Sequence, residues 1–117
     1  METNDLIESG VIEIKTEKGF KMISYHQILS IRADKKKTIV QINDAESVKS
    51  LNSLKWFSQK LIPPDFFRCH NSYMVNCHHV DYFSTKAIIL KGNTIVPLTR
   101  NKLLKLEEIL AQIQGKL

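Results

Sequence analysis

Phe66-Phe67-Arg68-Cys69-His70-Asn71-Ser72-Tyr73-Met74-Val75-Asn76 decides how this chain is read. Its aromatic and β-branched residues favour a strand from Phe66 to Val75, yet Arg, His, Asn and Ser interrupt the run. Polar groups inside a strand must find partners or face a ligand, because burying them unpaired is costly. Phe67, Tyr73 and Val75 read as core, and a regular alternation puts Arg68, His70 and Ser72 on one face.

Outward from this stretch, the first part of the chain breaks into short strands. Val11 to Lys15 is followed by a turn at Gly19, and then come Phe20 to Ile23, Ile28 to Arg32 and Thr38 to Ile42. Asn43-Asp44 reads as a hairpin turn. From Ser50 to Leu61, Leu51, Leu54, Trp56, Phe57 and Leu61 fall near helical spacing, which predicts one amphipathic helix with Ser50 as N-cap and Pro63-Pro64 beyond its end. After the opening stretch, Val80 to Ser84, Ala87 to Leu90 and Thr94 to Leu98 read as strands, the last two joined by a hairpin at Lys91-Gly92-Asn93. Leu103, Leu106, Leu110, Ile113 and Leu117 recur every three or four residues, which predicts a terminal helix over about 101–114. Its narrow apolar stripe either packs on its own domain or serves as a short dimerisation helix. Barely two heptads make a weak coiled coil.

Composition narrows the function. The 117 residues, 43% hydrophobic and 25% charged, suit one globular domain over 1–117 with no repeat or linker to divide it. A net charge of +5 favours polyanionic partners. The surplus is uneven. Residues 1–14 carry Glu2, Asp5, Glu8 and Glu13 and no cation, whereas residues 66–105 hold Arg68, Lys86, Lys91, Arg100, Lys102 and Lys105 against Asp81. No apolar run approaches the roughly 18 residues that span a bilayer, and the start lacks a signal peptide's features, so a cytoplasmic chain with no membrane partner is expected. Two cysteines, Cys69 and Cys77, form no disulfide framework and are expected to remain thiols.

Taken with Leu98-Thr99-Arg100-Asn101-Lys102, the opening stretch resembles the Phe-x-Arg-x-His-x-Ser-x-x-Val-Asn and Ser/Thr-Arg signatures of the LytTR (LytR/AgrA-type) DNA-binding domain family. The resemblance is strong from Phe66 to Lys102 and weaker from Val11 to Leu61. It implies a mostly β, elongated domain of stacked antiparallel sheets with one small internal helix and a C-terminal helix. It further implies a bacterial transcription regulator that grips double-stranded DNA by loops, at paired direct repeats in promoters. Such domains commonly serve as response-regulator output domains in two-component signalling. No receiver domain or sensor kinase is expected within these residues, so the chain is either a stand-alone regulator or a fragment of one.

The site residues follow from this resemblance and from their chemistry. Arg100, between a strand and a helix, is either a solvated turn residue or a bidentate contact to guanine or phosphate, and the family's Arg after Ser/Thr favours contact. Asn71 stands where many members carry Arg; its amide suits adenine edges, or it stabilises a turn. The loop Lys35-Lys36-Lys37 is a solvated hairpin tip or a phosphate contact, with Lys36 the first choice within it. His70 is expected to bond backbone in the bend that presents Asn71, and Arg68 to brace that bend or touch phosphate. Asn101 and Lys102 complete the set.

A metal site built from Cys69, His70, Cys77, His78 and His79 is the rival from inorganic chemistry, but its spacing matches no structural zinc pattern and no metal ligand is expected. Neither a phosphate-binding glycine loop nor a nucleophile elbow is present, so no enzyme and no cofactor is expected. A small ligand-sensing or protein-binding β domain is the alternative, separated from the first reading by retention on DNA.

Overall fold

The computed structural model describes residues 10–115. β1 (Val11–Thr16) and β2 (Gly19–Ser24) form a two-stranded antiparallel ribbon. β3 (Ser30–Asp34), β4 (Lys37–Gln41), β5 (Ser47–Ser50), β6 (Phe66–His70) and β7 (Tyr73–Asn76) build a five-stranded antiparallel sheet in the order β5-β4-β3-β7-β6. β8 (Val80–Phe83), β9 (Ala87–Leu90) and β10 (Ile95–Pro97) make a three-stranded sheet. α1 (Leu54–Lys60) is the small internal helix and α2 (Leu103–Ile113) the terminal one. The domain is mostly β, as expected, and measures 39 × 33 × 24 Å.

The five-stranded sheet is the middle layer, because both of its faces carry apolar residues. Ile31, Val40, Phe66 and Met74 pack with Ile12, Ile14 and Ile23 of the ribbon and with Leu54 and Phe57 of α1. On the other face Phe67, Cys69 and Val75 meet Ile88, Leu90 and Val96 of the three-stranded sheet and Leu106, Ile109 and Leu110 of α2. Period-two alternation sends successive residues of β7 to opposite cores: Met74 to the first, Val75 to the second. Phe57 is fully buried, and withdrawing a side chain of that size from water contributes roughly 2–3 kcal/mol.

Two expectations need correction. The internal helix does not begin at Ser50. That residue is fully buried in β5 opposite Thr38, and its hydroxyl accepts from the amide of Asn52 at 3.0 Å. Ser53 is the N-cap, its Oγ accepting from Trp56 N at 3.0 Å, so the helix is limited to seven residues. Ser47-Val48-Lys49-Ser50 instead adds an edge strand beside β4.

The stretch from Phe66 to Val75 is not one strand. It folds back on itself as β6 and β7 around Asn71-Ser72, with a register irregularity between Phe67 and His70. The alternation that would place Arg68, His70 and Ser72 on one face is therefore broken. The terminal helix forms close to its expected bounds, a 3-10 turn over Arg100–Lys102 leading into α2, which ends at Ile113. Leu106, Ile109 and Leu110 are buried and Leu103 and Ile113 pack partly against the same core, so the stripe is satisfied by its own domain. Leu117 and the acidic Glu2, Asp5 and Glu8 lie outside the described residues.

The hairpin at Lys91-Gly92-Asn93 forms as expected. Gly92 and Asn93 adopt φ of +92° and +73°, the left-handed geometry that suits tight turns of this kind. At Asn43 the side-chain Oδ1 accepts from the amides of Ala45 and Glu46, both at 2.9 Å, fixing the β4–β5 loop.

Candidate nucleic-acid interface

The antiparallel registers decide which turns share an end of the molecule. β3 runs into the Lys35-Lys36 turn where β7 starts, and the Asn71-Ser72 turn closes β6 onto β7 at that same end. Ala33 N donates to Ser72 O at 2.8 Å, so the two turns are tied by a main-chain bond. Thr99 N donates to Cys69 O at 2.9 Å, which ties the Arg100 junction to β6 beside them. Three segments far apart in sequence are thereby brought to one edge.

The Asn71-Ser72 turn is held by its neighbours' side chains. The Arg68 guanidinium donates to Asn71 O at 2.6 Å, and Ser72 N donates to His70 Nδ1 at 3.0 Å. The His70 ring also stands edge-on to Tyr73, with centroids 5.7 Å apart. Arg68 and His70 thus brace the bend. Asn71 is exposed, and its amide makes no hydrogen bond within the described residues.

At the β3–β4 turn, Lys35 sits at φ +59° with Lys36 beside it, both exposed. Lys37 differs: it opens β4 and its ammonium pairs with Glu17. The hydrogen bond and charge of Lys37 hold the Glu17 carboxyl below the usual carboxylate range. One of the three expected loop cations is therefore already partnered, and Lys35 and Lys36 present the loop's unpaired charge.

The third segment carries Arg100, Asn101 and Lys102 in its 3-10 turn. Arg100 and Asn101 are exposed. Lys102 places its ammonium 5.8 Å from the Phe67 ring, a cation–π contact that steers the side chain along β6.

Two further cations at this end were not picked out as contacts from the sequence. Lys86 lies beside the Arg100 junction because its carbonyl accepts from Leu98 N at 2.9 Å, and Lys18 sits in the β1–β2 turn next to Glu17. Only long-range pairing reveals their position. Asn76, a motif residue, has a different place: it is buried, its Nδ2 donating to the carbonyls of Tyr25 and Ile28 at 3.1 and 3.0 Å and its Oδ1 accepting from His78 N at 3.0 Å.

The five residues of the rival metal reading are not gathered. His70 lies at the basic end, whereas His78 pairs with Asp65 at 2.7 Å and His79 Nε2 meets His26 O at 2.6 Å near the opposite end. Cys69 and Cys77 are buried free thiols, and burial pushes each up to about 12. Among the described residues no group of three or more His, Cys, Asp or Glu side chains is placed to hold a metal ion. No helix there is long and apolar enough to cross a membrane.

Comparison with known proteins agrees with this geometry. No curated protein matches the chain. A solved structure described as the LytTr DNA-binding domain of a methyl-accepting/DNA response regulator from Bacillus cereus superimposes with a TM-score of 0.71. It is 23% identical, and the match covers 86% of this chain and 96% of that one, which shows the shared fold. The family model of the LytTr DNA-binding domain matches residues 18–111, which takes in the five-stranded sheet, the three-stranded sheet and all three of the basic turns. The chain belongs to the LytTR DNA-binding domain family.

Proposed function

We propose that this chain binds duplex DNA sequence-specifically as a bacterial transcription regulator acting in the cytoplasm, in the manner of a response-regulator output domain. The observation that carries the proposal is the convergence of Lys36, Asn71 and Arg100 on one edge through the Ala33–Ser72 and Thr99–Cys69 main-chain bonds. Arg100, exposed at the strand-to-helix junction, is the base-reading cation, since a guanidinium forks onto guanine O6 and N7. Asn71 reads a second position through its amide. Lys35, Lys36, Asn101 and Lys102 contact phosphate and set register and affinity. Lys37 contributes less, because Glu17 competes for its charge. Arg68 and His70 support Asn71.

Such a domain takes a paired direct repeat as two copies. The apolar stripe of α2 is consumed internally, so the protein is a monomer in free solution at about micromolar concentration and the two copies meet on DNA. The test is binding to promoter fragments across a salt series. With roughly four to seven phosphates neutralised, log K falls against log salt with a slope of about −4 to −6. A flat salt response would refute the proposal.

A further inference from the structure

The turn that presents Asn71 rests on three hydrogen bonds with different chemistry. Ala33 N to Ser72 O and Arg68 to Asn71 O persist throughout the neutral and mildly acidic range, because an amide and a guanidinium keep their protons there. The third, Ser72 N to His70 Nδ1 at 3.0 Å, requires a lone pair on the ring nitrogen. An imidazolium carries N–H on both nitrogens, so protonation sets two donors face to face.

We propose that His70 is a positioning residue that holds the Asn71-Ser72 turn in its reading geometry only while Nδ1 is unprotonated, so acidification removes sequence discrimination without removing DNA binding. The inference rests on the DNA-binding role proposed above. It assigns His70 a part distinct from that of a phosphate contact, for which protonation would strengthen binding to every sequence.

The surroundings of His70 set up the contrast. Arg68 lies on its own strand, Tyr73 faces it from β7, Arg32 and Asp34 follow on β3, and Arg100 and Lys102 belong to the junction tied to Cys69. Cations dominate that list, so an added imidazolium charge raises the general attraction for phosphate. At the same time the freed Ser72 amide loosens the turn. Affinity for arbitrary duplex is thus held or raised while preference is lost, two effects of opposite sign that one titration separates.

The test uses the whole chain, a duplex selected from a random-sequence pool at about pH 8, and a shuffled duplex of the same composition, all at constant salt. Between about pH 8 and about pH 5.5 the ratio of the two affinities falls by about three- to ten-fold, the worth of one neutral hydrogen bond, while the shuffled duplex binds equally or better. His70→Asn keeps an acceptor at the δ position suited to the amide two residues on, and does not titrate. It retains the preference at both pH values, which isolates His70 from His26, His78 and His79. The Ser72 amide resonance of the free protein shifts on acidification and does not in the variant, a readout that needs no DNA. A ratio constant with pH, a parallel rise of both affinities, or a His70→Asn protein with the same pH dependence as wild type would overturn the proposal. Failure to bind any duplex at about pH 8 would refute the DNA-binding role itself, and this inference with it.

Discussion

The two ends of the five-stranded sheet are built from the same strands and finished in opposite ways. At one end lie the turns at Glu17-Lys18, Lys35-Lys36 and Asn71-Ser72 with the Arg100 junction, where Arg68 and His70 brace the main chain and Glu17 pairs with Lys37, while Lys35, Lys36, Asn71 and Arg100 are left exposed. At the other, side chains stitch layer to layer. Asn76 reaches Tyr25 and Ile28, Asp65 meets His78, His79 meets His26, and Asp44 accepts from Thr94 at 3.3 Å. One end uses the polar groups named here for cohesion, and the other leaves part of its polar set exposed and unpaired among the described residues. Stability and the recognition proposed for the exposed set are therefore expected to be separable, and substitutions at each end should show it.

The largest expected effect is at the stitched end. Asn76→Ala removes the buried Nδ2 donor from the Ile28 carbonyl, one of the donors to the Tyr25 carbonyl and the acceptor of the His78 amide, and should cost about 2 to 3 kcal/mol of stability. Urea unfolding measures it, and a loss under about 1 kcal/mol would dissolve the contrast between the ends. Arg100→Ala should act the other way round. Specific affinity drops about ten- to a hundred-fold and base preference flattens at one position of each half-site, with stability within about 0.5 kcal/mol. An unfolded Arg100→Ala protein would make that residue a structural cap instead.

The core between the ends has its own signature. Cys69 and Cys77 stay protonated to about 12 in the fold but only to about 9.0 in the unfolded chain, so between those values the native state holds more protons. Stability contributed by the buried neutral thiols is present below about pH 9 and is lost as pH rises toward 12. Urea midpoints at pH 8 and 10 should fall in that order, and replacing both cysteines by Ala should flatten the difference. Smallest of all, Lys36→Ala should weaken binding to every sequence alike and reduce the salt slope by about 1. A change of sequence preference in that variant would move Lys36 into the reading set.

How far the sequence disclosed this arrangement depends on the range of the interactions. The Lys91-Gly92-Asn93 turn was legible because its left-handed residues follow from local chemistry, and the stripe of α2 because helical spacing survives any context. β5 was hidden: Ser47-Val48-Lys49-Ser50 has one apolar residue and takes its conformation from pairing with β4. The fold-back at Asn71-Ser72 was masked by aromatic and β-branched neighbours on both sides, although two adjacent turn-forming residues were the signal available. Asn71 and Arg100 were singled out through motif resemblance. Their convergence, and the arrival of Lys18 and Lys86 beside them, required strand registers that no local pattern encodes.

The bracing of Asn71 through its main chain has a consequence for how such proteins diversify. Arg68 grips the residue's carbonyl and His70 the following amide, so neither bond depends on which side chain position 71 carries. The mount is chemically independent of the side chain to which base reading is assigned in the proposal. A panel of substitutions at 71 should then share one melting temperature while differing in the duplexes they select, and new operator preferences become reachable by single replacements, with no compensating change elsewhere in the scaffold.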